Sequence, residues 1–125
     1  MKQVILDTNF ILTCVKQKID FFEEIMLIGL EILIPQEVIN EIKKIVDSKK
    51  KLHFREDAKL ALKLLEKCKI EFRKINLDAK KTDVGLIRFA KENKDVIVAT
   101  LDKTLKRQIK NPKLVIIEKK RLEII

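Results

Sequence analysis

The 125 residues contain no tryptophan and no tyrosine, and six phenylalanines make up the whole aromatic complement. A protein that recognises RNA chiefly by stacking bases on aromatic rings needs more than that. Two glycines and two prolines leave no flexible or Pro-rich linker, so residues 1–125 read as one domain. The two cysteines, Cys14 and Cys68, lie far apart among apolar residues, and neither has a CxxC partner. A zinc knuckle is thereby excluded, and reduced core thiols in a cytoplasmic protein are expected. The single histidine, His53, falls in a basic stretch and reads as a surface residue in a loop rather than as a base. No signal-peptide pattern opens the chain, and charges break every apolar stretch well short of a bilayer span. No membrane partner is expected.

What the chain has in excess is positive charge. Lys and Arg number 28 against 19 acids, a net charge of +9 and a pI of about 9.6. Such a surplus favours a polyanionic partner, most simply nucleic acid. It also suits the Lys-rich surface of a heat-adapted protein, and the two readings are compatible. At 46% hydrophobic, the chain can bury one real core.

Short apolar runs alternate with amphipathic stretches, which is the pattern of βαβ units around a parallel sheet. The runs are Gln3–Leu6, Glu31–Ile34, Ile70–Phe72, Asp95–Ala99 and Leu114–Ile117. Their near-continuous Val, Ile and Leu suits strands covered on both faces. Helices are predicted over Phe10–Lys16, Asp20–Leu30, Gln36–Val46, Arg55–Lys67, Thr82–Glu92 and Lys103–Ile109. The expected fold is therefore α/β, in three layers (α/β/α), with a central parallel sheet of about five strands. The apolar end of the chain, Leu122 to Ile125, should dock on the body or on a partner.

Four carboxylates fall where such folds build sites, beyond the carboxyl ends of the strands. Asp7 follows Val4-Ile5-Leu6, and Asp102 follows Val96-Ile97-Val98-Ala99-Thr100. Asp83 opens a helix on the face shared by Leu86, Ile87 and Ala90, so it should point toward the sheet. Glu41 borders the apolar stripe Val38, Ile42, Ile45 and Val46, while Glu37 lies toward solvent in the first turn and suits the helix dipole. Taken singly, each acid has a structural reading: Asp7 and Asp102 as helix N-caps, Asp83 as a first-turn acid, Glu41 as a surface acid paired to lysine. Taken together, four acids converging on one crevice repel one another unless a cation neutralises them.

Mg²⁺ or Mn²⁺ fits that donor set, because both are hard ions that take oxygen ligands and keep several waters. Such ions can hold a scissile phosphate, acidify an attacking water and stabilise the leaving oxygen, with no nucleophilic side chain required. Thr8, Asn9 and Thr100 flank the acids and could orient them, or could serve the turns and caps. A basic rim for an RNA backbone is available in Lys43, Lys49, Lys50, Lys51 and Arg55, and in Lys103, Lys106, Arg107 and Lys110.

These blocks resemble the PIN-domain nucleases. The resemblance rests on Val4-Ile5-Leu6-Asp7-Thr8-Asn9, on Ile32-Leu33-Ile34-Pro35 with Glu41 in the following helix, on Thr82-Asp83-Val84-Gly85, and on Val98-Ala99-Thr100-Leu101-Asp102. It spans essentially the whole chain, with the blocks in order. It implies Asp7, Glu41, Asp83 and Asp102 as catalytic metal ligands of an Mg²⁺- or Mn²⁺-dependent endoribonuclease. Two departures stand out: Leu101 where many members have Asn, and Val84 where many have a further acid. The stretch from Val98 to Arg107, with Asn111-Pro112 after it, is most similar to the small archaeal and eukaryotic rRNA-processing branch. VapC-type toxin ribonucleases and non-catalytic RNA-binding scaffolds are the alternatives. The implied partners are RNA and either a pre-ribosomal particle or an antitoxin; a homodimer stays open.

Overall fold

Val4, Ile5 and Leu6 are wholly buried, and their strand occupies the interior of the sheet. The computed structural model describes residues 1–125, apart from the side chain of Lys119. The strands are β1 (Gln3–Leu6), β2 (Glu31–Pro35), β3 (Phe72–Ile75), β4 (Ile97–Ala99), β5 (Lys113–Ile117) and β6 (Arg121–Ile124). The helices are α1 (Thr8–Gln17), α2 (Phe21–Ile28), α3 (Gln36–Val46), α4 (Leu52–Lys67), α5 (Thr82–Glu92) and α6 (Lys103–Gln108). Strand order is β3-β2-β1-β4-β5-β6. The first five run parallel, as expected, and β6 pairs antiparallel with β5 at the edge.

Alternation along the strands builds two cores. Val4, Leu6, Ile32, Ile34, Ile97 and Ala99 face one way, into a cluster with Phe10, Phe21, Ile25, Val38, Ile42 and Ala58 from α1 to α4. Ile5, Leu33 and Val98 face the other way, against Leu86 and Ala90 of α5 and Leu105 of α6. The chain thus forms the expected three layers.

This order places a topological switch point at β1. From β1 the chain steps outward to β2 and β3, then crosses to the other side of β1 to form β4 and β5. The connections leaving β1 and β4 therefore run in opposite directions, which opens a crevice at the carboxyl ends of these two strands. Asp7 and Asp102 emerge there.

Three local expectations need correction, those for the third strand, His53 and Cys68, while the tail docks on the body and Cys14 is a core residue as expected. The third strand is Phe72–Ile75 rather than Ile70–Phe72, and Ile70 is 91% exposed. Helix α4 begins at Leu52, so His53 is in its first turn and not in a loop; it is exposed, with its ring centroid 4.2 Å from that of Phe54. The docked tail is a strand, reached through a 3₁₀ turn at Glu118–Lys120. Cys14 is fully buried, and burial first, then Glu24, pushes its thiol up to about 12; Cys68 is only half-buried, at the end of α4. No described helix is long and apolar enough to cross a membrane.

Candidate active site

Asp7 is the most buried acid of the site, 8% exposed. Its backbone N–H donates to Ala99 of β4 at 2.9 Å, which fixes the end of β1 against its neighbour. Its side chain does two jobs. Oδ1 accepts from the Thr8 N–H at 2.8 Å and caps α1; Oδ2 accepts from the Thr100 hydroxyl at 2.7 Å. Thr100 is fully buried and its Oγ1 accepts in turn from the Asp102 N–H at 3.1 Å. Asn9 Oδ1 accepts from the Leu101 N–H at 3.0 Å. It also lies 3.5 Å from the Thr100 hydroxyl, but that group has one proton, and the shorter contact to Asp7 takes it. Thr8 donates its hydroxyl proton to Glu41 Oε1 at 2.7 Å, tying α1 to α3. Thr8, Asn9 and Thr100 therefore each hold an acid or the backbone that carries one.

Asp102 caps α6, accepting from the Thr104 and Leu105 N–H groups at 2.9 and 3.2 Å. Both bonds use Oδ1, so Oδ2 is left out of the cap. The capping readings of Asp7 and Asp102 are thus correct, and they are compatible with a shared site. Asp83 departs from expectation. It is exposed rather than directed at the sheet, and its Oδ1 accepts from the Val84 N–H at 2.9 Å.

All four acids nevertheless line one cleft of about 690 Å³, with Thr8, Asn9, Glu37, Asn40 and Thr82. Among the described residues, no three acids close into a ready-made metal cage. The donors stand on the walls of a cleft instead. Burial pushes the Asp7 carboxyl above its ordinary value, opposed by its bonds from Thr100 and Thr8; repulsion from Glu41 and Asp102 raises it further. The expected repulsion is present, but desolvation is the larger cause. An all-oxygen set around a carboxylate that resists charging fits a hard cation, which would supply the missing countercharge.

Residues 4–121 match the family described as PIN like domain. The chain belongs to the PIN-domain nucleases. It is 34% identical to Ribonuclease VapC4 of Methanocaldococcus jannaschii, over 99% of this chain and 97% of that protein. The structure of the PIN domain endonuclease Utp24 superposes with a TM-score of 0.77 at 28% identity, over 98% of this chain and 92% of that one.

The basic groups at the cleft of this PIN domain are not the ones expected. Lys44, Lys80 and Lys81 line it. Lys43, adjacent in α3 but on another face, opens on a separate cleft with Ile39, Lys69 and Phe72. Lys49, Lys50 and Lys51 occupy the α3–α4 connector, where Arg55 donates from Nε to the Lys50 carbonyl at 3.1 Å. Lys103, Lys106 and Arg107 lie on α6, and Lys110 follows it. None of these lines the cleft. Glu37 also differs from its solvent-facing reading: its carboxylate accepts from the Leu77 and Ala79 N–H groups at 3.1 and 3.5 Å. Its first-turn position gives no sign of this, because the partner is a loop about forty residues away in sequence.

Proposed function

We propose that this PIN domain is a divalent-metal-dependent endoribonuclease that hydrolyses RNA phosphodiester bonds. The observation that carries the reading is the convergence of Asp7, Glu41, Asp83 and Asp102 on one cleft at the switch point of the sheet. Those four would hold Mg²⁺ or Mn²⁺, with Asp7 and Asp102 on opposite sides of the β1–β4 junction. A bound ion supplies an acidified water and a countercharge for the leaving oxygen. The chain's own residues supply placement. Thr100 orients Asp7, Thr8 orients Glu41, and Asn9 holds the backbone at Leu101, one residue before Asp102. The test is cleavage of single-stranded RNA by the purified protein with Mn²⁺, with and without a chelator. Loss of cleavage with chelator and return with Mn²⁺ is expected; cleavage that persists in chelator contradicts the metal requirement.

The cellular role divides in two. An rRNA-processing role is supported by the resemblance of the Val98–Pro112 stretch to that branch. A toxin role is favoured by the 34% identity to a protein named VapC4. An antitoxin reading frame beside the gene, together with growth arrest on expression of the chain alone, distinguishes the second from the first.

A further inference from the structure

We propose that the segment between β3 and α5, residues 76–81, is a fixed arm that positions the RNA backbone: Lys80 and Lys81, with Lys44 across the cleft, hold phosphates against the acids, and Glu37 is the positioning residue that anchors the arm. The inference rests on the ribonuclease reading above. A loop this short and exposed at its end needs a reason to stay in place, and the structure gives it three. Leu77 is buried in the second core, 4% exposed. Glu37 reaches from α3 to bind the N–H groups of Leu77 and Ala79. Helix α5 clamps the other side: Arg88 donates to the Leu77 carbonyl, and Gly85 lets the loop lie directly on the helix. A Cβ at Gly85 would stand 2.8 Å from the Ala79 Cβ and 3.0 Å from that of Leu77. The turn is set at Asp78, whose φ is +51° and whose N–H is bound by the Asn76 side chain at 2.8 Å.

All this fastening delivers Lys80, Lys81, Thr82 and Asp83 to the cleft wall. The charge balance gives the lysines their use. Five acids line the cleft against three lysines. A phosphate approaching those acids is repelled unless cations lie beside them, and a divalent ion alone leaves the strand's flanking phosphates unmatched. Lysines on a clamped arm meet those phosphates with little ordering left to do on binding. They carry no sequence information, so the arm sets register and not specificity.

The experiment measures binding of a short single-stranded RNA to the full chain as a function of salt, in the Asp102→Asn background. Asn keeps the α6 cap and, on the ribonuclease reading, prevents cleavage. Lys80→Ala with Lys81→Ala should flatten the log–log salt dependence by about 1.4, at roughly 0.7 for each phosphate no longer neutralised. If the salt lines meet near 1 M, affinity at 0.1 M falls about 25-fold. Glu37→Ala should bind more weakly than Glu37→Gln, which removes the same cleft charge but keeps an acceptor for the Leu77 N–H, while the thermal melts of both show a folded protein. Lys91→Ala with Lys94→Ala, exposed at and just beyond the far end of α5, removes the same charge and should change affinity much less. Equal losses in both double variants, or none in Lys80→Ala/Lys81→Ala, overturn the arm. Loss with Lys80→Ala/Lys81→Ala but equal affinity in folded Glu37→Ala and Glu37→Gln overturns the anchor. RNA binding absent in the parent background overturns the ribonuclease reading itself, and the arm with it.

Discussion

Two clefts of the molecule are similar in size and opposite in character. One, about 770 Å³, lies between α2 and α4 and is walled by Val15, Ile19, Phe22, Met26, Leu60 and Leu64. The other, about 690 Å³, holds the acids. Volume does not separate them; their origin does. The first is walled mostly by apolar side chains of helices, with Lys18, Asp20, Glu23, Lys67 and Glu71 also on its lining. The second forms where β1 and β4 end and their chains part in opposite directions, so backbone N–H groups and short polar side chains converge. That convergence fixes Asp7 between Thr8 and Thr100 and leaves it too buried to charge easily. Chemistry follows from strand ends, and the apolar cleft has no such ends.

The sharpest break between the two clefts is activity. Asp7→Asn and Asp102→Asn should each lower the cleavage rate by on the order of a thousandfold or more, as removal of a central catalytic group does. Rates near the parent's for both, measured on RNA with Mn²⁺, would dissolve the distinction. A smaller loss is expected one layer out. Thr100→Val removes the proton donor to Asp7 and the acceptor for the Asp102 N–H, and should cost about 10–100-fold in activity or metal affinity. It should also cost about 1–3 kcal/mol of stability through the stranded N–H. A Thr100→Ser variant that retains both hydrogen bonds should recover most of the activity; failure to recover would locate the effect in packing.

Stability against pH probes the same site without any substrate. The folded-state pKa of Asp7 lies above the unfolded value, so the folded chain binds more protons than the unfolded one between those two values. Stability therefore falls as pH rises through that window, and the charged form is the destabilising one. Asp7→Asn cannot charge. Its melting temperature should exceed the parent's at pH 7, and the gap should close at a pH below about 3.9, the ordinary value of an unfolded Asp. A variant less stable than the parent at pH 7 would mean that the Thr8 and Thr100 bonds outweigh desolvation. The smallest effect belongs to the apolar cleft: Leu60→Ala, more than half exposed, should leave cleavage unchanged and stability within about 0.5 kcal/mol.

How far the sequence speaks for the structure depends on burial. Strands β1, β2 and β4 are covered on both faces, so their Val and Ile runs are visible as strands in the bare sequence. Strand β3 is flanked by β2 on one side only and carries Arg73 and Lys74 exposed, so its polar residues hide it and the apolar Ile70 marks a false start. Strand β6 is Arg-Leu-Glu-Ile, half polar, and becomes a strand because the edge of β5 is there to pair with. At the site, Asp7 and Asp102 follow strands and Glu41 lies at a helix edge, all local signals. Asp83 is legible as a helix-opening acid, but its exposure is not, since the same helix buries Gly85, Leu86 and Ala90. Glu37, Lys44, Lys80 and Lys81 are not legible, because their places depend on a loop folding back onto α3 and α5.

The divalent cation proposed for the acid cleft is open to direct observation. A crystal of the protein soaked in Mn²⁺ and measured at the manganese absorption edge tests it directly. An anomalous peak is expected in the cleft, coordinated by Asp7 and at least one of Glu41, Asp83 and Asp102, and absent from Asp7→Asn. Manganese bound only elsewhere on the chain, or a peak that survives unchanged in Asp7→Asn, would contradict it.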